Sequence, residues 1–102
     1  MQDSSAGYRY GIECLFRLYS YGLEQRFSQE LFMDFMDHVH RDYEETGVCY
    51  GLEKFWAYMF YRKDKAERPD LDKQIIPEIA LLFSTKFKTI DDFRQARQEE
   101  RK

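Results

Sequence analysis

The chain has few of the residues that build disulfide scaffolds or metal clusters, and no stretch that would cross a membrane. Cysteine occurs only as Cys14 and Cys49, whose spacing fits neither a zinc motif nor a bridged framework. Reduced thiols in a cytoplasmic protein are the expectation. No apolar run approaches the roughly 20 residues of a bilayer span, and Met1-Gln2-Asp3-Ser4-Ser5 lacks the character of a signal peptide. Positive charge is not in excess either: 16 basic against 19 acidic residues leave a net charge of −3. That balance argues against non-specific coating of nucleic acid, which needs a clustered basic surface. It leaves room for a compact site that reads one chemical feature.

Catalytic signatures are missing as well. There is no Gly-rich phosphate loop, nucleophile elbow or Cys–His arrangement, so an enzyme is not expected and no cofactor is implied. The two histidines, His38 and His40, would point to nearly opposite sides of a helix and share a metal poorly. His38 with Asp34 or Asp42 has i±4 spacing, an ordinary surface pairing on helices. The acidic run from Asp42 to Glu45 reads as a solvated helix end.

What is present in quantity is aromatic: nine Phe, eight Tyr and one Trp among 102 residues. A single domain of this size has one modest core. Phe and Trp have reason to fill it, whereas tyrosines can stand half-exposed with the hydroxyl wet. A tyrosine-rich surface suited to recognition is the expectation.

The chain also repeats itself at an offset of 40. Tyr10-Gly11-Ile12-Glu13 returns as Tyr50-Gly51-Leu52-Glu53, Phe16 pairs with Trp56, Tyr21 with Tyr61, Phe35 with Ile75, and Gly7 with Gly47. Ile12, Leu15, Phe16, Tyr19 and Leu23 form one helical stripe, and Leu52, Phe55, Trp56 and Met59 repeat it. Leu31, Phe32, Phe35, Val39 and Tyr43 make the stripe of a second helix, with Ser28 as its N-cap and Gly47 as its stop. Arg68-Pro69-Asp70 marks a loop, Pro77 suits a first helical position, and Thr89 with Asp92 resembles a capping box.

A period near 40 with this patterning is the signature of HEAT-like helical pairs. The expected fold is therefore all-α: about two tandem helix-turn-helix repeats plus a short C-terminal helix. Residues 1–9 read as the end of a preceding unit or linker closed by Gly7, 10–47 and 48–88 as repeats, and 89–102 as the last helix with a charged, frayed tail from Arg97 to Lys102. Two repeats are few for a solenoid, which suggests a longer array or a partner at the exposed repeat end.

In the first helix Arg17, Tyr21 and Glu24 lie at i, i+4 and i+7, on a face turned away from the apolar stripe. Tyr61 holds the matching place one repeat on. Tyrosines projecting side by side from helices roughly 8–10 Å apart would flank a slot one planar group wide. A 7-methylguanine base, flat and positively charged, suits it through stacking and cation–π attraction. Glu24 would then accept from the guanine edge, with Arg17, Arg62 and Lys63 near enough for phosphates. On pattern alone the same tyrosines read more readily as packing between repeats, and Arg17 with Glu24 equally as a solvated face.

The strings from Tyr8 to Arg17, Tyr19 to Glu24 and Tyr50 to Ala57, and more weakly Ile90 to Arg94, closely resemble the C-terminal repeat region of the La-related protein 1 subfamily. The resemblance runs from about Gly7 to Arg94. It implies three HEAT-like repeats that bind the 5′ cap and pyrimidine-rich start of certain messenger RNAs and control their translation. It also implies that Tyr21 and Tyr61 sandwich the methylated base, Glu24 reads the guanine edge, and Arg17 and Lys63 meet phosphate or the first nucleotide. This chain matches only the second and third family repeats. It departs from the pattern at Phe60, where members carry a basic residue that Arg62 and Lys63 would replace, and in the long stretch from Asp64 to Ile76. The competing expectation is an interaction scaffold whose exposed tyrosines meet a peptide or second subunit.

Overall fold

The computed structural model describes residues 3–100, and side chains from 7 to 99. Met1, Gln2, Arg101 and Lys102, the ends of the expected leader and tail, lie outside the described residues. Helix α1 spans Asp3–Gln25, α2 Gln29–Thr46, α3 Tyr50–Tyr61, α4 Pro77–Thr85 and α5 Ile90–Glu100; a 3-10 turn, Pro69–Gln74, precedes α4. There is no strand among the described residues.

Local chemistry sets most of these boundaries. Ser28, in extended conformation, accepts from the Leu31 amide at 3.2 Å and opens α2. Gly47 closes it with φ of 74°, and its amide reaches the Tyr43 carbonyl at 2.8 Å. Only glycine enters that left-handed region without strain. Pro77 starts α4. The Asp92 carboxylate accepts the Lys88 and Thr89 amides at 2.8 and 3.0 Å, and those bonds hold its pKa below the ordinary aspartate value.

Two sequence expectations change. Helix α1 passes through Gly7 unbroken, because a glycine without a left-handed φ costs a helix only about 1 kcal/mol and does not stop it. Helix α5 continues past Arg97 to Glu100, so its charged end is helical.

Three-residue connections join α1 to α2 and α2 to α3, which forces each pair antiparallel. Helices α1 and α3 must then run parallel. They touch where Gly51 leaves no room for a side chain: a β-carbon there would stand 2.8 Å from the Phe16 ring. Phe55 sits at the centre of the core, 5.6 Å from Phe32, 5.3 Å edge-on to Phe35 and 6.2 Å from Phe83. Its burial is worth about 2–3 kcal/mol. Phe87 and Phe93 stack at 4.7 Å with planes 5° apart and carry the core to α5. The aromatic division holds in outline, with Phe residues inside and Tyr8, Tyr10, Tyr21 and Tyr61 exposed. Tyr58 is the tyrosine that crosses over.

The run from Asp42 is not wholly solvated. Asp42 is 8 % exposed and held by both Nη atoms of Arg9, at 2.8 and 3.0 Å. Burial alone would lower the Arg9 pKa, but its bonds to Asp42 and Glu13 outweigh that and raise it. His38 is likewise occupied, its Nδ1 lying 2.9 Å from the Tyr19 hydroxyl.

Candidate ligand cleft between the helix ends

Helix α3 ends at Tyr61 without glycine or proline. Tertiary bonds turn the chain. The Arg62 guanidinium folds inward and donates to Asp64 Oδ1 at 2.9 Å and to the Arg68 carbonyl at 3.1 Å. Asp72 adds a charge at 3.7 Å. Asp64 also accepts from Arg68 at 3.0 Å, and the Arg68 guanidinium lies 4.3 Å over the Phe27 ring. Burial works to raise the Asp64 carboxyl, but Arg62 and then Arg68 outweigh it and hold it below its ordinary value. Residues 62–68 thus form a clamped loop beside the C-terminal ends of α1 and α3.

Between that loop and the helix ends lies a cleft of about 580 Å³, lined by Glu24, Phe27, Tyr58, Tyr61, Lys63 and Arg68 among others. Of the residues expected to form a site, Glu24, Tyr61 and Lys63 meet here. Arg62 lines the same cleft, but it is 7 % exposed and its Nη atoms are spent on the loop. It is a structural cation and not the free phosphate contact that its sequence position suggested.

Tyr21 and Arg17 stand outside the cleft lining, on the exposed face of α1. The Arg17 guanidinium donates to the Tyr50 hydroxyl at 3.0 Å and touches Cys14 Sγ at 3.1 Å, and the bond to Tyr50 raises its pKa. Arg17 therefore sits at the start of α3 and Lys63 just past its end. Twelve residues of helix separate them, about 18 Å. They flank the phenol pair from opposite sides and do not converge on one phosphate.

The spatial register of the parallel helices also differs from the repeat offset of 40. Arg17 meets Tyr50, and Phe16 meets Gly51, so partners are 33 to 35 residues apart. Tyr21 consequently lies level with residues 54–56, and Tyr61 is about five to seven residues further on. At 1.5 Å per residue the two are staggered by roughly 8–10 Å along the axis, not side by side as the repeat alone predicts. Stagger of that size is compatible with a slot, since a base between two rings needs about 7 Å, twice the ~3.5 Å carbon contact distance. Both rings are free to face solvent, Tyr21 at 62 % and Tyr61 at 66 % exposure.

Two features of the cleft escaped the sequence. Phe60 is exposed, yet it stacks on Trp56 at 4.9 Å and meets the Tyr61 ring edge-on at 4.9 Å, so it buttresses that phenol. Lys65 lies 5.4 Å over the Phe60 ring. The i, i+4 spacing of Trp56 and Phe60 was the available signal. Tyr58, 2 % exposed, forms part of the floor; no periodicity separates it from its wet relatives.

No helix among the described residues is long and apolar enough to cross a membrane. Neither a curated protein nor a solved structure matches the chain. A family match covers residues 1–95, almost the whole chain and every helix that shapes the cleft. With its parallel α1 and α3, its αα-hairpins and that match, this chain belongs to the family of the LARP1 HEAT repeat region.

Proposed function

We propose that the chain is an RNA-binding module that recognises the 7-methylguanosine 5′ cap and the adjacent first nucleotides of messenger RNA, in the service of translational control in the cytoplasm. The observation that carries this reading is the pair of exposed phenols on parallel helices, staggered by about one base slot, with the Glu24 carboxylate and Tyr61 in one cleft. Tyr21 and Tyr61 stack on the cationic base, whose charge strengthens the contact. Glu24 accepts from the ring N–H and the exocyclic amine. Lys63 and Arg17, on opposite sides, serve the phosphate chain and the first nucleotide. Arg62 holds the loop that carries Lys63. Pyrimidine-initiated messages are the substrate class the family suggests.

Titration of the chain with 7-methyl-GTP, followed by intrinsic fluorescence, tests the reading. Tyr21→Ala and Tyr61→Ala should each weaken binding by about 1–3 kcal/mol without lowering the melting temperature, since both rings are exposed. Equal affinity for 7-methyl-GTP and GTP defeats it. A peptide or second subunit is the other reading, favoured by Tyr8, Tyr10 and Leu18, each about two-thirds exposed on α1.

A further inference from the structure

Two buried donors in the cleft have no partner. The Tyr58 hydroxyl is enclosed, yet no acceptor reaches it. Nε of Arg62, one turn further along, is in the same condition although its Nη atoms are engaged. Buried donors left without acceptors oppose folding, and native proteins keep few of them. Both residues line the cleft alongside Glu24 and Tyr61. A carboxylate acceptor thus stands at the cleft with two unspent donors buried just beneath its lining.

The pattern matches one edge of one base. Guanine presents, in order, a carbonyl oxygen, a ring N–H and an amine. Glu24 suits the last two and leaves the carbonyl oxygen without a donor. That oxygen has two lone pairs and can accept from two groups at once. Adenine presents an amine where guanine has the carbonyl, and a bare ring nitrogen where guanine has N–H. Donors would then face a donor, and the carboxylate would face a lone pair.

We propose that Tyr58 is a specificity-determining residue of this cleft, its hydroxyl donating, with Nε–H of Arg62, to the exocyclic carbonyl oxygen of a guanine whose N–H and amine are taken by Glu24. The inference rests on the cap reading and adds to it the group that selects the base. Burial, then the carboxylates of Asp64 and Glu24, push the phenol above its ordinary pKa, so it stays a protonated donor at neutral pH. A preorganised buried donor discriminates strongly, because a ligand lacking the acceptor leaves it unpaired.

The test compares wild type and Tyr58→Phe against 7-methyl-GTP and its 6-thio counterpart, in which a weakly accepting sulfur replaces the oxygen, with melting temperatures taken in parallel. Wild type should prefer oxygen over sulfur by about tenfold. Tyr58→Phe should bind 7-methyl-GTP about tenfold more weakly and lose that preference. Its melting temperature should hold or rise, because an unpaired buried hydroxyl has been removed. If wild type selects 7-methyl-GTP over GTP but Tyr58→Phe binds it equally well, the role of Tyr58 falls and the cap reading stands. A lowered melting temperature with both nucleotides weakened in proportion makes Tyr58 structural and also overturns the proposal. If wild type shows no preference for 7-methyl-GTP over GTP, both fall together.

Discussion

Near the start of α1, the buried carboxylate of Asp42 is gripped by two Nη–H donors of Arg9, and Glu13 accepts the remaining Nε–H at 3.1 Å. Near the ends of α1 and α3, the buried guanidinium of Arg62 is met by Asp64, Asp72 and the Arg68 carbonyl, yet its Nε and the neighbouring Tyr58 hydroxyl are left over. Each end of the molecule buries a charge. One end commits Arg9, Asp42 and Glu13 to one another, and it lies away from the cleft. The other keeps polar groups unspent, and the cleft opens there. A satisfied buried ion is a fastener, whereas an unsatisfied one beside a cavity points to chemistry from outside the chain.

That contrast can be broken in a graded way. The largest effect should come from Arg9→Ala, which strands the Asp42 carboxylate. A loss of about 2–4 kcal/mol in urea unfolding is expected, somewhat below a fully buried pair because Arg9 is itself partly exposed. Nucleotide affinity measured on the folded fraction should not change. If affinity falls with stability, the two ends are not independent.

Gly51→Ala comes next. The added methyl would press on the buried Phe16 ring and wedge α1 from α3, for about 1–3 kcal/mol of overpacking. Because that contact sets the stagger of Tyr21 against Tyr61, cap affinity should drop as well, which Arg9→Ala should not cause. Retained affinity in Gly51→Ala would mean that the phenols do not depend on this register.

The smallest effect is a pH dependence confined to the clamped end. The folded-state pKa of Asp64 lies below its ordinary value, so its stabilising contribution is fully present above about pH 4. It is lost as pH falls further, through the lowered value. Amide protection factors in residues 62–68 should fall on acidification, and Asp64→Asn should remove that pH sensitivity. An acid response unchanged in Asp64→Asn would assign it to other carboxylates.

Much of the fold was legible because its signals are local. The stripes of Phe16, Phe35 and Phe55, the Ser28 cap, the Gly47 stop and Pro77 at a helix start each act within a turn or two of the chain. The 3-10 turn was not, since what fixes it is Leu71 buried in the core and not the polar residues around it. Of the site, Glu24 and the exposure of Tyr21 and Tyr61 follow from helical geometry. The burial of Arg62 does not: a cation after an aromatic helix end looks free in sequence, and only Asp64, Asp72 and a carbonyl six residues on make its desolvation tolerable.

The sequence by itself determined an all-helical chain of repeating pairs with apolar stripes along the helices and Tyr21 and Tyr61 turned away from them, because periodicity and caps are properties of neighbouring residues. Tertiary structure decided which polar groups remain unspent and how the two phenols are staggered. Both depend on the register of α1 against α3, and that register is set by a glycine on one helix meeting a phenylalanine from 35 positions earlier on the other.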